Sequence, residues 1–191
     1  MKRLLFFAIL LLSAVGMSAQ ETSYMCAGET KTLTASATGG TAPITYSWAG
    51  PGGTTTGATR SVTASGTYTW TATDAAGCTA SGTHIVNVEP DPTASITINA
   101  TNICVGASQT ISATGVPAGY TYSWNFGSGA TPATSNTAST SVSYSTTGTK
   151  TITLTITKTF TGSTNGCSST CTWTKTTTIT VGQLSGGSSC S

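Results

Sequence analysis

Residues 120–129 read YTYSWNFGSG, and a relative of that stretch, ITYSWAGPGG, fills 44–53. Tyr120, Tyr122, Trp124 and Phe126 are spaced two apart, so in an extended chain they share one face, with Thr121, Ser123 and Asn125 on the other. Ile44, Tyr46 and Trp48 repeat the pattern. A one-sided stripe of large rings is what a central strand offers to a facing sheet, since each ring removes a large apolar area from water. The stretch therefore predicts a buried strand, and the glycines that follow predict its exit turn.

Working outward, the two stretches are landmarks of an internal repeat. CAGETKTLTA (26–35) matches CVGASQTISA (104–113), and ASGTYTWTAT (64–73) matches STTGTKTITLTIT (145–157). Gly77-Cys78 and Gly166-Cys167 follow, and the copies close with HIVNV (84–88) and TTTITV (176–181). Landmarks in the same order mark a duplicated unit. Alternation recurs in Leu33 and Ala35, Tyr68 and Trp70, Val142 and Tyr144, then Ile152, Leu154 and Ile156. Short period-two runs between turn residues predict an all-β chain of two tandem antiparallel sandwiches. The expected boundaries are 20–89 and 93–182, with a proline-flanked linker at 90–92 and a Gly/Ser-rich tail at 183–191.

The first 19 residues have a basic start, a short apolar run and a small-residue end, the pattern of a secretory signal cleaved after Ala19. Lys2 and Arg3 leave with it. Lys31, Arg60, Lys150, Lys158 and Lys175 then balance Glu21, Glu29, Asp74, Glu89 and Asp91. With so little charge and no basic block, nucleic acid is not an expected partner, and no membrane insertion is expected after cleavage.

Six cysteines in an exported chain point to disulfides. The repeat suggests Cys26–Cys78 and Cys104–Cys167, leaving Cys171 and Cys190 to pair with each other or with another chain. Cys167 and Cys171 have a spacing that some metal knuckles use, but no second Cys/His pair accompanies them, so no metal is expected.

Catalytic chemistry needs an acid, a base or an activated nucleophile. The sole histidine, His84, stands in a strand with no acidic residue beside it in sequence; Asp74 sits in a turn; Glu89 and Asp91 flank linker prolines. Neither an enzyme nor a cofactor is expected. The Thr alternation from 151 to 161 resembles the hydroxyl arrays of ice-binding surfaces, and it is read here as a wet sheet face of good strand formers.

YSWNFGSG (122–129), VSYSTTGTKTITLTIT (142–157) and TTTITV (176–181) resemble a polycystic-kidney-disease (PKD) domain, with Asn125 and Ser128 where that family has Asp. CAGETKTLTA, YSWAGPGG and SGTYTWTATDAAGC resemble immunoglobulin-like repeats of bacterial surface and secreted proteins. The resemblance implies non-enzymatic immunoglobulin-like sandwiches, secreted or surface-displayed, acting as spacers or adhesive modules within a larger multi-domain protein. Its partners would be surface glycans or other extracellular proteins. The alternative reading is a carbohydrate-binding module using Trp70 and Trp173, aromatics flanked by Thr that the repeat does not account for.

Overall fold

The computed structural model describes residues 20–161 and 169–183. The leader, Cys167, Cys190 and the tail beyond residue 183 lie outside the described residues. Regular structure among the described residues is entirely β, and the chain divides into two compact units, the first ending at Val88 and the second starting at Glu89.

The first unit holds β1 (Glu21–Cys26), β2 (Lys31–Thr34), β3 (Thr45–Gly50), β4 (Gly53–Thr56), β5 (Thr59–Val62), β6 (Gly66–Thr73) and β7 (Thr79–Glu89). A five-stranded sheet, ordered β1-β7-β6-β3-β4, stands with the antiparallel pair β2-β5. Met25, Leu33, Trp48, Val62, Trp70 and Val86 are among the residues that fill the core.

In the second unit are β8 (Ser95–Ile98), β9 (Asn102–Cys104), β10 (Ser108–Thr114), β11 (Thr121–Asn125), β12 (Ala130–Thr131), β13 (Thr134–Ser135), β14 (Ser139–Tyr144), β15 (Gly148–Phe160) and β16 (Ser169–Gly182). Its two sheets are ordered β12-β14-β10-β8 and β13-β11-β15-β16-β9. Ile111, Trp124, Phe126, Val142, Leu154 and Ile179 belong to the core between them.

The predicted stripe is present but graded. Trp124 and Phe126 are buried and stacked, with centroids 5.5 Å apart, whereas Tyr122 and Tyr120 are half-buried. In the first unit Trp48 is buried and Tyr46 and Ile44 are half-buried. Two buried indole N–H groups find carbonyls: Trp124 Nε1 donates to Thr137 at 2.8 Å and Trp48 Nε1 to Gly57 at 3.1 Å. Buried phenols do the same, Tyr144 to the Phe126 carbonyl and Tyr68 to that of Ala64.

Period two also explains the outer face. In the β15–β16 hairpin every odd residue from Thr149 to Thr159 pairs with an even-numbered Thr, from Thr180 back to Thr170, so two threonine columns run side by side. Such cross-strand pairs contribute roughly 0.2–1 kcal/mol each.

Trp70 corrects one expectation. It is Trp48's cross-strand partner, only 2% exposed, and lies in the core. Its other cross-strand partner is Gly82, where an added Cβ would stand 2.8 Å from three atoms of the indole ring. The absent side chain is what lets the ring lie flat on β7. Gly82→Ala is therefore expected to lower stability by about 1–3 kcal/mol through overpacking, read as a lower midpoint in denaturant unfolding; an unchanged midpoint would show that the ring moves aside freely.

Candidate functional site

The residues with chemistry to offer gather in three places. The first is the β6–β7 turn. Asp74 accepts hydrogen bonds from the backbone N–H groups of Thr41 (2.9 Å), Ala76 (3.0 Å) and Cys78 (2.8 Å). These bonds, that from Thr41 foremost and then that from Cys78, favour the carboxylate and hold its pKa below the usual 3.8. Asp74 thus ties the β2–β3 loop to the β6–β7 turn, a structural clamp of the Asx-turn kind.

Cys78 lies in that turn as a free, exposed thiol. Cys26, Cys104 and Cys171 are each disulfide-bonded. The expected Cys26–Cys78 bridge is thus not formed. Matching Gly-Cys landmarks in the two copies ignored the space around the turn: Cys78 borders a shallow pocket with Ala37, Gly39, Ile44, Ala72 and Ala80, contributed by the β2–β3 loop, β6 and β7. The expected Cys104–Cys167 and Cys171–Cys190 pairs each have one member outside the described residues.

The second place is the β1–β7 edge. His84 is 5% exposed, and its Nδ1 is 3.1 Å from Oε2 of Glu21, whose side chain is 36% exposed. Its ring lies 5.5 Å from that of Trp48. Sequence gave no acidic neighbour for His84; the sheet order, which lays β1 on β7, supplies one.

At the start of the second unit lies the third. The Tyr120 hydroxyl donates to Oε1 of Glu89, and Lys175 bonds both oxygens of Asp91 at 3.1 Å. Lys158 Nζ stands 5.2 Å over the Tyr120 ring, and Trp173 lies 5.8 Å from it at 47°. Lost solvation, then the hydrogen bond to Glu89, push the Tyr120 pKa up to about 12. Trp173, the second aromatic considered for sugar stacking, is half-buried against the core, with Tyr120 beside it. The cluster binds residues 89–91 to the second unit, and the Tyr120 ring is occupied by its own neighbours.

Arg60 was not singled out by sequence. It is buried, donates to the Gly53 and Pro51 carbonyls, and covers the Tyr68 ring at 4.9 Å, so it holds the β3–β4 hairpin. Among the described residues no group of three His, Cys, Asp or Glu is arranged to hold a metal ion.

No protein-family model matches the chain, and no curated protein matches it. Solved structures do. The structure of the N-terminal eight Ig domains of Down syndrome cell adhesion molecule matches over 85% of this chain at 18% identity and a TM-score of 0.52. The chain spans about a quarter of that structure, 23% of its length. The fold is immunoglobulin-like, a tandem of β-sandwiches. The amphioxus IgVJ-C2 molecule (13% identity, 83% of this chain and 99% of that one, TM-score 0.36) and murine CEACAM1b (12%, 84% and 96%, 0.38) are also similar.

Two outcomes follow. The Asp74 pKa is depressed in the fold, so its stabilisation is present above pH 3.8 and is lost as pH falls through the lower folded value. Asp74→Asn should melt below the wild type at neutral pH, with the gap closing in melts carried down to pH 2; a gap constant with pH would refute the clamp. Maleimide labelling without reductant should modify the Cys78 peptide and spare those of Cys26, Cys104 and Cys171. An unlabelled Cys78 would restore a bridge at that position.

Proposed function

We propose that the chain is a non-enzymatic extracellular module: two immunoglobulin-like sandwiches, the second PKD-like, that space, display or adhere within a larger secreted or surface-exposed bacterial protein. The observation that carries this reading is where the polar chemistry ends. The Trp48 and Trp124 indole N–H groups, the buried phenols, the Arg60 guanidinium and the Asp74 carboxylate all bond the chain's own backbone, so each positions a loop. The disulfide-bonded cysteines fit an oxidising compartment. The threonine columns leave a broad uncharged face, suited to contact with a folded extracellular protein. The adhesive part draws further support from the fold shared with a cell adhesion molecule.

Expression in a bacterium from the chain's own Met1 tests the reading. The exported product is expected to begin at Gln20 and to disappear when intact, surface-displaying cells are treated with protease. An unprocessed chain retained in the cytoplasm would overturn it.

A further inference from the structure

The aromatic route to a sugar closes at Trp70, yet a different part of the first unit is built to take one. Beside the His84–Glu21 pair, between β1, β2 and β7, lies an open cleft of ≈ 280 Å³. Glu21, Ser23, Lys31, Thr32, Ser36 and His84 contribute its polar lining. Ser23 is 5% exposed, and its hydroxyl has no hydrogen-bond partner among the described residues; Lys31 Nζ likewise has none. That hydroxyl offers one donor and its acceptor lone pairs to whatever enters the cleft. The oxygen is not sealed away, since no fully buried side-chain polar atom in the described residues lacks a partner.

The duplication supplies an internal control. Lys31 stands five residues after Cys26, and Gln109 stands five after Cys104. Gln109 is buried, and with its amide assigned to satisfy its neighbours its carbonyl accepts the N–H groups of Asn99 (2.6 Å) and Ala100 (2.8 Å). In the second unit the side chain at this position is folded in and used by the chain itself. In the first unit the same position carries an unpaired cation at the rim of an open cleft.

We propose that this cleft binds a single neutral sugar residue, such as the terminal residue of a glycan. The charges of Glu21 and Lys31 oppose each other, which disfavours a strongly charged ligand. Lys31 donates, Glu21 accepts, and the Ser and Thr hydroxyls do both, matching the vicinal hydroxyls of a pyranose. The volume takes one ring and not a chain laid along it. The site goes beyond the structural and adhesive reading and is independent of it, because failure of export leaves the cleft unchanged.

The test is an NMR titration of the isotope-labelled chain with the methyl glycosides of glucose, galactose and N-acetylglucosamine. One of them is expected to give saturable shifts confined to the amides of 21–23, 31–36 and 84, with a Kd on the order of millimolar. Lys31→Gln, which copies the closed arrangement of the second unit, and Ser23→Val, which fills the floor, should each weaken binding about five- to tenfold, as loss of a hydrogen bond does. Unchanged melting of Lys31→Gln, whose side chain bonds nothing in the fold, separates binding from folding. No saturable shift with any glycoside, or shifts that persist undiminished in both variants, would overturn the proposal.

Discussion

A buried indole must find an acceptor for its one N–H, and both sandwiches depend on how that is done. Trp48 and Trp124 occupy equivalent strands, and each reaches a carbonyl in the segment after its hairpin, Gly57 or Thr137. The bond fixes the ring against the facing sheet and fixes the returning chain against the ring. Replacing either tryptophan with phenylalanine would leave a void in the core and release the chain segment that the indole holds. This coupling of core packing to loop position explains why the Tyr-Ser-Trp triplet appears in both copies. It is a fixed point from which the hairpin and the following strand are hung.

Around these points the two units diverge. In the first, Trp48 has a second indole, Trp70, as cross-strand partner, and Gly82 leaves the room. At the matching place in the second, Trp124 pairs with Leu154, and Phe126 stacks on the indole from its own strand. Both arrangements fill the space between sheets. In the second unit β15 and β16 also run on as a long regular hairpin, whose outward paired residues are threonine because a solvated strand face rewards β-branched side chains.

The fold was legible because period two is a local property. The stripes at 44–48 and 120–126, the alternation of Ile152, Leu154 and Ile156, and the repeat all follow from residues near one another. The same rule, applied strictly, places Trp70 inside: it is in phase with Tyr68 and Ala72, and threonine on both sides is what a core residue of a half-wet strand has. Trp173 is in phase with Ile179 and Val181 and packs accordingly. The pairs that define the sites were not legible. Glu21 meets His84 because sheet order lays β1 on β7, and Asp91 meets Lys175 because the segment after β7 folds back beside β16. The Cys26–Cys78 expectation failed for a related reason: equal place in a repeat says nothing about which other thiol lies within bonding reach.

Duplication also shows how one scaffold position passes between holding the fold and facing outward. In the second unit the side chain after the β9–β10 turn bends back onto the backbone of residues 99–100 and is buried. The corresponding lysine of the first unit cannot accept from those N–H groups, since an ammonium only donates. At the positions that match Asn99 and Ala100 the first unit has Glu21 and Thr22, and Glu21 reaches His84 across the β1–β7 pair. A single change from acceptor to donor at the turn is accompanied by an acid–imidazole pair across the strands and by an opening between them. Lys31, Glu21 and His84 together line the polar cleft of the first unit.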